Sequence, residues 1–347
     1  MSATLTITRP DDWHVHVRDG NLLKAVAPLT ARQFGRALIM PNLVPPVRTV
    51  EQALAYRKAI LESVPDDPGF DPKMSLFLTD DTDEGEVRAV ARCEHVLGFK
   101  LYPAGATTNS STGVTRASNM MGLLECMAEN GVVLQVHGEV TDPHVDIFDR
   151  EALFIEQVLA PIHREIPELK LVLEHITTKE GVDFVQDSNS NVAATITPQH
   201  LLYSRNEIFK GGIRPHLYCL PILKKEPHRL CVLQAAVSGN PSFFLGTDSA
   251  PHLRDDKESA CGCAGIFSAC TAIELYAEIF EGMECLDRLE DFASHFGADF
   301  YGVGRNSQKA VLEKKPQEIP PSMEHGDLDL VPLMAGESLS WTFAGIE

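Results

Sequence analysis

The chain has no apolar run approaching the roughly 20 residues that a membrane-spanning helix needs, so nothing in it reads as a bilayer anchor. Its start, MSATLTITRPDDW, lacks a basic stretch leading into an apolar one. No secretory leader is expected, and the expected location is the cytoplasm. Positive charge is scarce: 30 Lys and Arg stand against 49 Asp and Glu, a net charge of −19. That argues against nucleic acid, which needs a basic patch, and against an anionic membrane surface. It leaves a small anionic substrate open, because a local cationic site outweighs a distant diffuse charge. Cysteine is present without a pattern. The eight cysteines include one close pair, Cys261-Gly262-Cys263, but no second pair completes a zinc motif. Free thiols are the expectation. A G-x-G-x-x-G fingerprint after the first strand is missing as well, which disfavours an open dinucleotide-binding sheet.

What is there is the material of one large α/β unit. The chain has 347 residues, 44% of them hydrophobic, near the size of a single barrel with insertions. Eight strand-like runs recur: 13–17, 37–41, 75–79, 97–101, 132–137, 171–175, 192–197 and 243–248. Most are continuous apolar or β-branched stretches, the pattern of parallel strands buried on both faces. Helical segments separate them, for example 49–64, 118–129 (ended by Asn130-Gly131) and 149–165 (ended by Ile166-Pro167). Strand and helix alternating eight times predict a (β/α)₈ TIM barrel, with 1–347 as one domain. Residues 198–241 are long enough to hold an insertion before the last strand. Residues 305–347, Pro-rich and irregular, are read as a C-terminal tail packed on the barrel. The acidic run 80–86 is read as a solvated loop.

Six residues carry the chemistry: His14, His16, Lys100, His137, His175 and Asp248. Each lies at the end of a predicted strand, and in a parallel barrel those ends open on one face, where active sites are built. His14 and His16 are two apart in a strand, so both can face the interior and share a metal. An H-x-H alone is weak evidence, and a lone strand-end histidine is usually a satisfied core residue. Four such histidines together with an aspartate have no common structural reason, because burying them costs free energy unless they are paired or metal-bound. Lys100 does not suit a metal site as an ammonium. Its structural reading is an ion pair. Its chemical reading is a neutral amine that takes up carbon dioxide. The resulting carbamate could bridge two metals roughly 3.5–4 Å apart.

The segments HVHVRDG, MPNLVPP, KLYPAGATTNSS, VHGEV, EHITT, ATITPQHL, RPHLYCLPILK and FLGTDSAPH resemble the amidohydrolase superfamily. More narrowly, they resemble its dihydroorotases of the single-chain bacterial type, over about residues 7–342. The resemblance implies two Zn²⁺ per subunit, bridged by N6-carboxylated Lys100. His14, His16, Lys100 and Asp248 would hold one zinc, and Lys100, His137 and His175 the other. It further implies a bridging hydroxide that attacks a ring amide, with Asp248 as general base and acid. The reaction would be the reversible interconversion of N-carbamoyl-L-aspartate and L-dihydroorotate in pyrimidine biosynthesis. The resemblance assigns Arg18, Asn42 and His252 to the substrate carboxylate and the backbone of Leu220 and Ala264 to the ring edge. His16 and His137 would also touch substrate. Arg18 suits a carboxylate chemically, although singly it also reads as a surface ion pair, and Asn42 as a turn residue. The small polar loop 104–111 reads as a mobile lid, with Thr107 and Thr108 as substrate contacts. A homodimer is implied.

Two other readings stay open at this point. One is a hydantoinase, dihydropyrimidinase or allantoinase type of cyclic amidase, whose uncharged substrates would leave Arg18, Asn42 and His252 without a carboxylate. The other is a non-catalytic scaffold barrel, which the intact set of six residues disfavours.

Overall fold

The computed structural model describes residues 3–67 and 69–347. After a short N-terminal strand β1 (Thr4–Thr8), eight strands follow: β2 (Asp11–Val15), β3 (Arg36–Ile39), β4 (Asp71–Phe77), β5 (Val96–Leu101), β6 (Val133–Val136), β7 (Leu171–Leu173), β8 (Val192–Ile196) and β9 (Phe243–Leu245). β2 to β9 pair in sequence order, each parallel to the next. A parallel bridge between Val15 and Ser249 closes the ring, so the fold is the expected (β/α)₈ barrel.

The strands end earlier than their apolar runs do. His16, His137, His175 and Asp248 all fall just past the last paired residue. His175 and Asp248 have φ of 43° and 46°, a left-handed backbone that cannot continue a strand. Their strand-like neighbours hide this turn in the sequence. Lys100 stays within β5, opposite Phe77 and Gln135.

The helices form for ordinary local reasons. Val50–Glu62 opens with a capping box between Thr49 and Gln52. The stretch Arg150–Glu165 widens to a π turn over Ile155–Leu159, next to Pro161, which has no N–H for the α ladder. The acidic run is not all loop: Asp83 caps a helix that starts at Glu84. The region before β9 holds the short helix Pro198–Leu202, 3₁₀ turns and the barrel helix Glu226–Ala236.

The tail is more regular than its composition suggests. Lys309–Glu313 pairs with β1 on one side and Thr342–Ile346 on the other. Each segment is short and alternating, and only pairing across the length of the chain makes it a strand. The helix Ala272–Gly282 receives the tail through glutamates spaced along it. Glu274 accepts from the Phe343 amide, Glu278 from Ser340 and Glu281 from the Trp341 indole. Trp341 and Phe343 belong to the main core cluster.

The opposite end of the barrel is closed by aromatic rings. Trp13 stacks on Tyr301 at 4.7 Å between centroids and meets Phe244 edge-on at 6.4 Å. The helix Phe296–Tyr301 lies so close that a Cβ at Gly297 would stand 2.0 Å from the Trp13 indole nitrogen. This packing anchors β2, whose next residues are His14 and His16. We expect Gly297→Ala to destabilise the fold by about 1–3 kcal/mol, the usual scale of core overpacking, read as a lower urea midpoint at unchanged slope. An unchanged midpoint would show that the helix slides away without cost.

Candidate active site

The six strand-end residues converge at the mouth of the barrel, and all are buried. His14, His16 and Asp248 present donor atoms within 4.8 Å of one another. Asp248 Oδ1 lies 3.1 Å from His16 Nε2 and 3.3 Å from His14 Nε2. Beside them, His137 Nδ1 is 3.3 Å from His175 Nε2. The His175 ring also sits 5.0 Å from that of His14, which joins the two groups.

Three of the four ligand-like rings are oriented from behind. Glu174 Oε2 is 2.8 Å from His14 Nδ1 and accepts from Thr195 Oγ1 at 2.6 Å. Glu139 Oε2 is 2.8 Å from His137 Nε2. Asn42 Oδ1 is 2.8 Å from His16 Nδ1. Such partners leave the opposite ring nitrogen pointing into the site, the arrangement that metal-binding histidines show. Glu151 fixes the turn after His175 by accepting from the amides and hydroxyls of Thr177 and Thr178. Sequence reasoning missed Glu174, Glu139 and Glu151. The first two had a signal, since they stand one and two residues from strand-end histidines in LVLEH and VHGEV. Glu151 had none, because its partners are 26 and 27 residues away.

The electrostatics divide the cluster: burial disfavours charge on His16, His175 and Lys100, whereas at His14 burial is outweighed by Glu174 and Asp248, which raise the imidazole. Burial lowers His16 to about 4 and pushes His175 well below the usual imidazole range, where Lys100 adds to the effect. Burial opposes ionisation of Asp248, but the imidazoles of His14 and His16 beside it outweigh that and hold the carboxyl well below its ordinary value. Burial likewise lowers Lys100 to about 8, against the pull of Glu174 and Asp248. Lys100 Nζ, His14 Nε2 and His175 Nδ1 have no aligned hydrogen-bond partner among the described residues. The ion-pair reading of Lys100 therefore does not hold. Four imidazoles, a carboxylate and a partnerless amine form a donor set that fits divalent metal.

The expected substrate residues lie around this cluster. His14, His16, Arg18, Asn42, Thr107, Thr108, His137, His175, Leu220, Asp248 and Ala264 line one pocket, together with Tyr102. Arg18, with φ of 57°, turns its guanidinium to within 3.1 Å of His252 Nε2. Burial and the Arg18 charge lower His252 to about 3, so it stands there as a neutral ring. Non-glycine residues in this backbone region cost on the order of 1–3 kcal/mol each and gather at functional sites; Arg18, His175 and Asp248 are three of them in one pocket. The loop 104–111 lies closed over the mouth. Thr108 Oγ1 donates to Ala264 O at 3.3 Å, and Asn42 Nδ2 donates to Thr108 O at 3.0 Å. Asn42 thus has both ends of its amide engaged, on His16 and on the loop, and Ala264 O also faces His252 Nε2 at 3.1 Å. Lys257, deeply buried, ties together the backbone around these residues by donating to Tyr218 O, Cys263 O and Gly265 O. All eight cysteines are free thiols, as expected.

Known proteins with this arrangement are close at hand. The amidohydrolase family pattern matches residues 7–307. A dihydroorotase of Picosynechococcus sp. is 57% identical over 342 residues, 99% of this chain and 99% of its own. A dihydroorotase of Cupriavidus necator is 58% identical over 98% of this chain and 99% of its own. Among solved structures, a dihydroorotase of Campylobacter jejuni superposes with a TM-score of 0.91 at 34% identity, covering 99% of this chain and 98% of its own. A dihydroorotase of Saccharomyces cerevisiae in complex with 5-fluoroorotic acid gives 0.90 at 34% identity with the same coverage. An L-hydantoinase of Arthrobacter aurescens, at 17% identity and 0.82 over 99% of this chain and 84% of its own, shares the fold. The chain belongs to the amidohydrolase family and, within it, to the dihydroorotases.

Proposed function

We propose that the enzyme reversibly interconverts N-carbamoyl-L-aspartate and L-dihydroorotate in pyrimidine biosynthesis, with two zinc ions held at the barrel mouth. The observation that carries this reading is the placement of Arg18 in the same pocket as the histidine and aspartate cluster, with His252 Nε2 3.1 Å from its guanidinium. Among the described residues the guanidinium has no carboxylate ion-pair partner, and it suits the carboxylate common to both substrate and product. The yeast relative, bound to a pyrimidine acid, supports the same substrate class.

His14, His16 and Asp248 would hold one zinc, His137 and His175 the other, and Lys100 as a carbamate would serve both. Bound there, the metal pair would polarise the amide carbonyl and bring the pKa of a water molecule towards neutrality. Arg18, with His252 and Asn42 beside it, orients the ring by its carboxylate. Asp248, ionised in the folded protein, accepts a proton from the attacking water and delivers it to the ring nitrogen as the C–N bond breaks. In the other direction it takes the ureido proton and delivers it to the departing oxygen. Thr107 and Thr108 close over the substrate, exclude water and contact it, while the Leu220 and Ala264 backbone meets the ring edge. His16 and His137 reach the substrate as well as the metals. The tail strands and core share one packed unit, which supports 1–347 working as a single hydrolase domain. Family resemblance supports a homodimer in the cytoplasm, and the net charge of −19 gives no support to nucleic acid or an anionic membrane as a partner.

The test is turnover of L-dihydroorotate by zinc-replete protein, followed by loss of ring-amide absorbance, with dihydrouracil, hydantoin and allantoin in parallel. Turnover of dihydroorotate alone is expected. Turnover of an uncharged ring instead would keep the chemistry and remove the carboxylate reading. Asp248→Asn is expected to lose about 10²–10⁴-fold in rate in both directions, the usual worth of a general base, while retaining measurable zinc. Glu174→Gln is expected to weaken zinc retention against a chelator by about 10–100-fold, because His14 loses its charged partner; equal retention would make Glu174 a bystander. The double variant Thr107→Ala/Thr108→Ala is expected to slow turnover at constant zinc content, and unchanged kinetics would rule out the lid role.

A further inference from the structure

Tyr102 lines the pocket but has no role among the metal set, the carboxylate readers or the lid. Its ring is buried and stacks on Phe77 at 5.0 Å between centroids. The other groups around the ring are Lys100 Nζ, 5.2 Å from its centroid, and the His137 ring at 6.3 Å. Ring packing alone would be met equally well by phenylalanine. The hydroxyl is what needs explaining. It is buried on a residue that lines the pocket, and it has no hydrogen-bond partner among the described residues. Asp248 and Arg18 line the same pocket as Tyr102. Buried hydroxyls are normally hydrogen-bonded, and an exception at the wall of a pocket marks a place where a ligand supplies the partner. A phenol near neutral pH is protonated and therefore available as a donor.

We propose that the Tyr102 hydroxyl contacts the substrate and donates a hydrogen bond to the reacting carbonyl oxygen as that oxygen gains negative charge. This rests on the cyclic-amidase reading above. Attack on the carbonyl carbon forms the new C–O bond and moves the carbonyl π pair onto its oxygen. That pair returns as the C–N bond breaks, and the nitrogen receives its proton through Asp248. Tyr102 keeps its own proton throughout. It acts as a positioned dipole, the role that preorganised donors play in stabilising an oxyanion.

The experiment is Tyr102→Phe, which removes one oxygen and leaves the ring on Phe77. The expected result is a fall in kcat of about tenfold or more. KM, zinc content, thermal midpoint and affinity for 5-fluoroorotate, a planar acid without a tetrahedral centre, are expected to stay level. A kcat within twofold of the parent would overturn the proposal. A rise in KM alone would make the hydroxyl a ground-state contact and overturn the charge-stabilising role. Loss of zinc or of 5-fluoroorotate binding would make Tyr102 a structural residue and overturn it too. Absence of dihydroorotate turnover in the parent protein would remove the function reading and this proposal together, whereas parent turnover with unchanged variant kinetics removes the proposal alone.

Discussion

Four imidazoles, an amine and a carboxylate crowd the top of this barrel with almost no access to water, and every other feature of the site answers to that crowding. An isolated buried charge is costly, so such groups lose their charge or find a partner. Here both happen. His16 and His175 are held neutral by burial, while Asp248 keeps its charge through His14 and His16. Glu174, Glu139 and Asn42 take the outward nitrogens of His14, His137 and His16. His14 Nε2, His175 Nδ1 and Lys100 Nζ are left over among the described residues. That residue of unmet donors and acceptors is what makes the cluster a place for metal and not a packed core.

The barrel supplies the rigidity that such a cluster needs. β2 is pinned at the far end by Trp13 against Tyr301 and Phe244, and at the near end by the bridge to Ser249. Thr247 and Asp12 join the same two strands from within, the hydroxyl donating to the carboxylate at 2.6 Å. With both ends fixed, the left-handed turns at His175 and Asp248 can be held at positions where an isolated peptide would relax. The strain is local, and the cooperative barrel around it sustains it.

The substrate half of the pocket is built differently, from loops held by one another. Asn42, Thr108, Ala264 and His252 form a chain of polar contacts at the mouth. Lys257 ties the backbone around them together from beneath. This division suits the chemistry. Ligands to a metal must not move, whereas a lid must open to admit substrate.

Much of this was legible from the residues in order. Continuous β-branched runs separated by helix signals reveal a parallel barrel, because that pattern depends only on local periodicity and on both faces being buried. The six strand-end residues were legible for the same reason: their spacing along the chain follows the barrel repeat. What the linear chain could not reveal lies in contacts between distant segments. TLTIT and KAVLE become strands only when they meet. Glu151 becomes essential only beside Thr177 and Thr178. The ion-pair reading of Lys100 fell only once the fold left its Nζ without a hydrogen-bond partner among the described residues. Local sequence determined the repeat, the apolar faces and the supply of reactive groups, since each follows from a few neighbouring side chains. Tertiary structure alone decided which groups are left without a partner, because that depends on what the rest of the chain brings within a few ångströms.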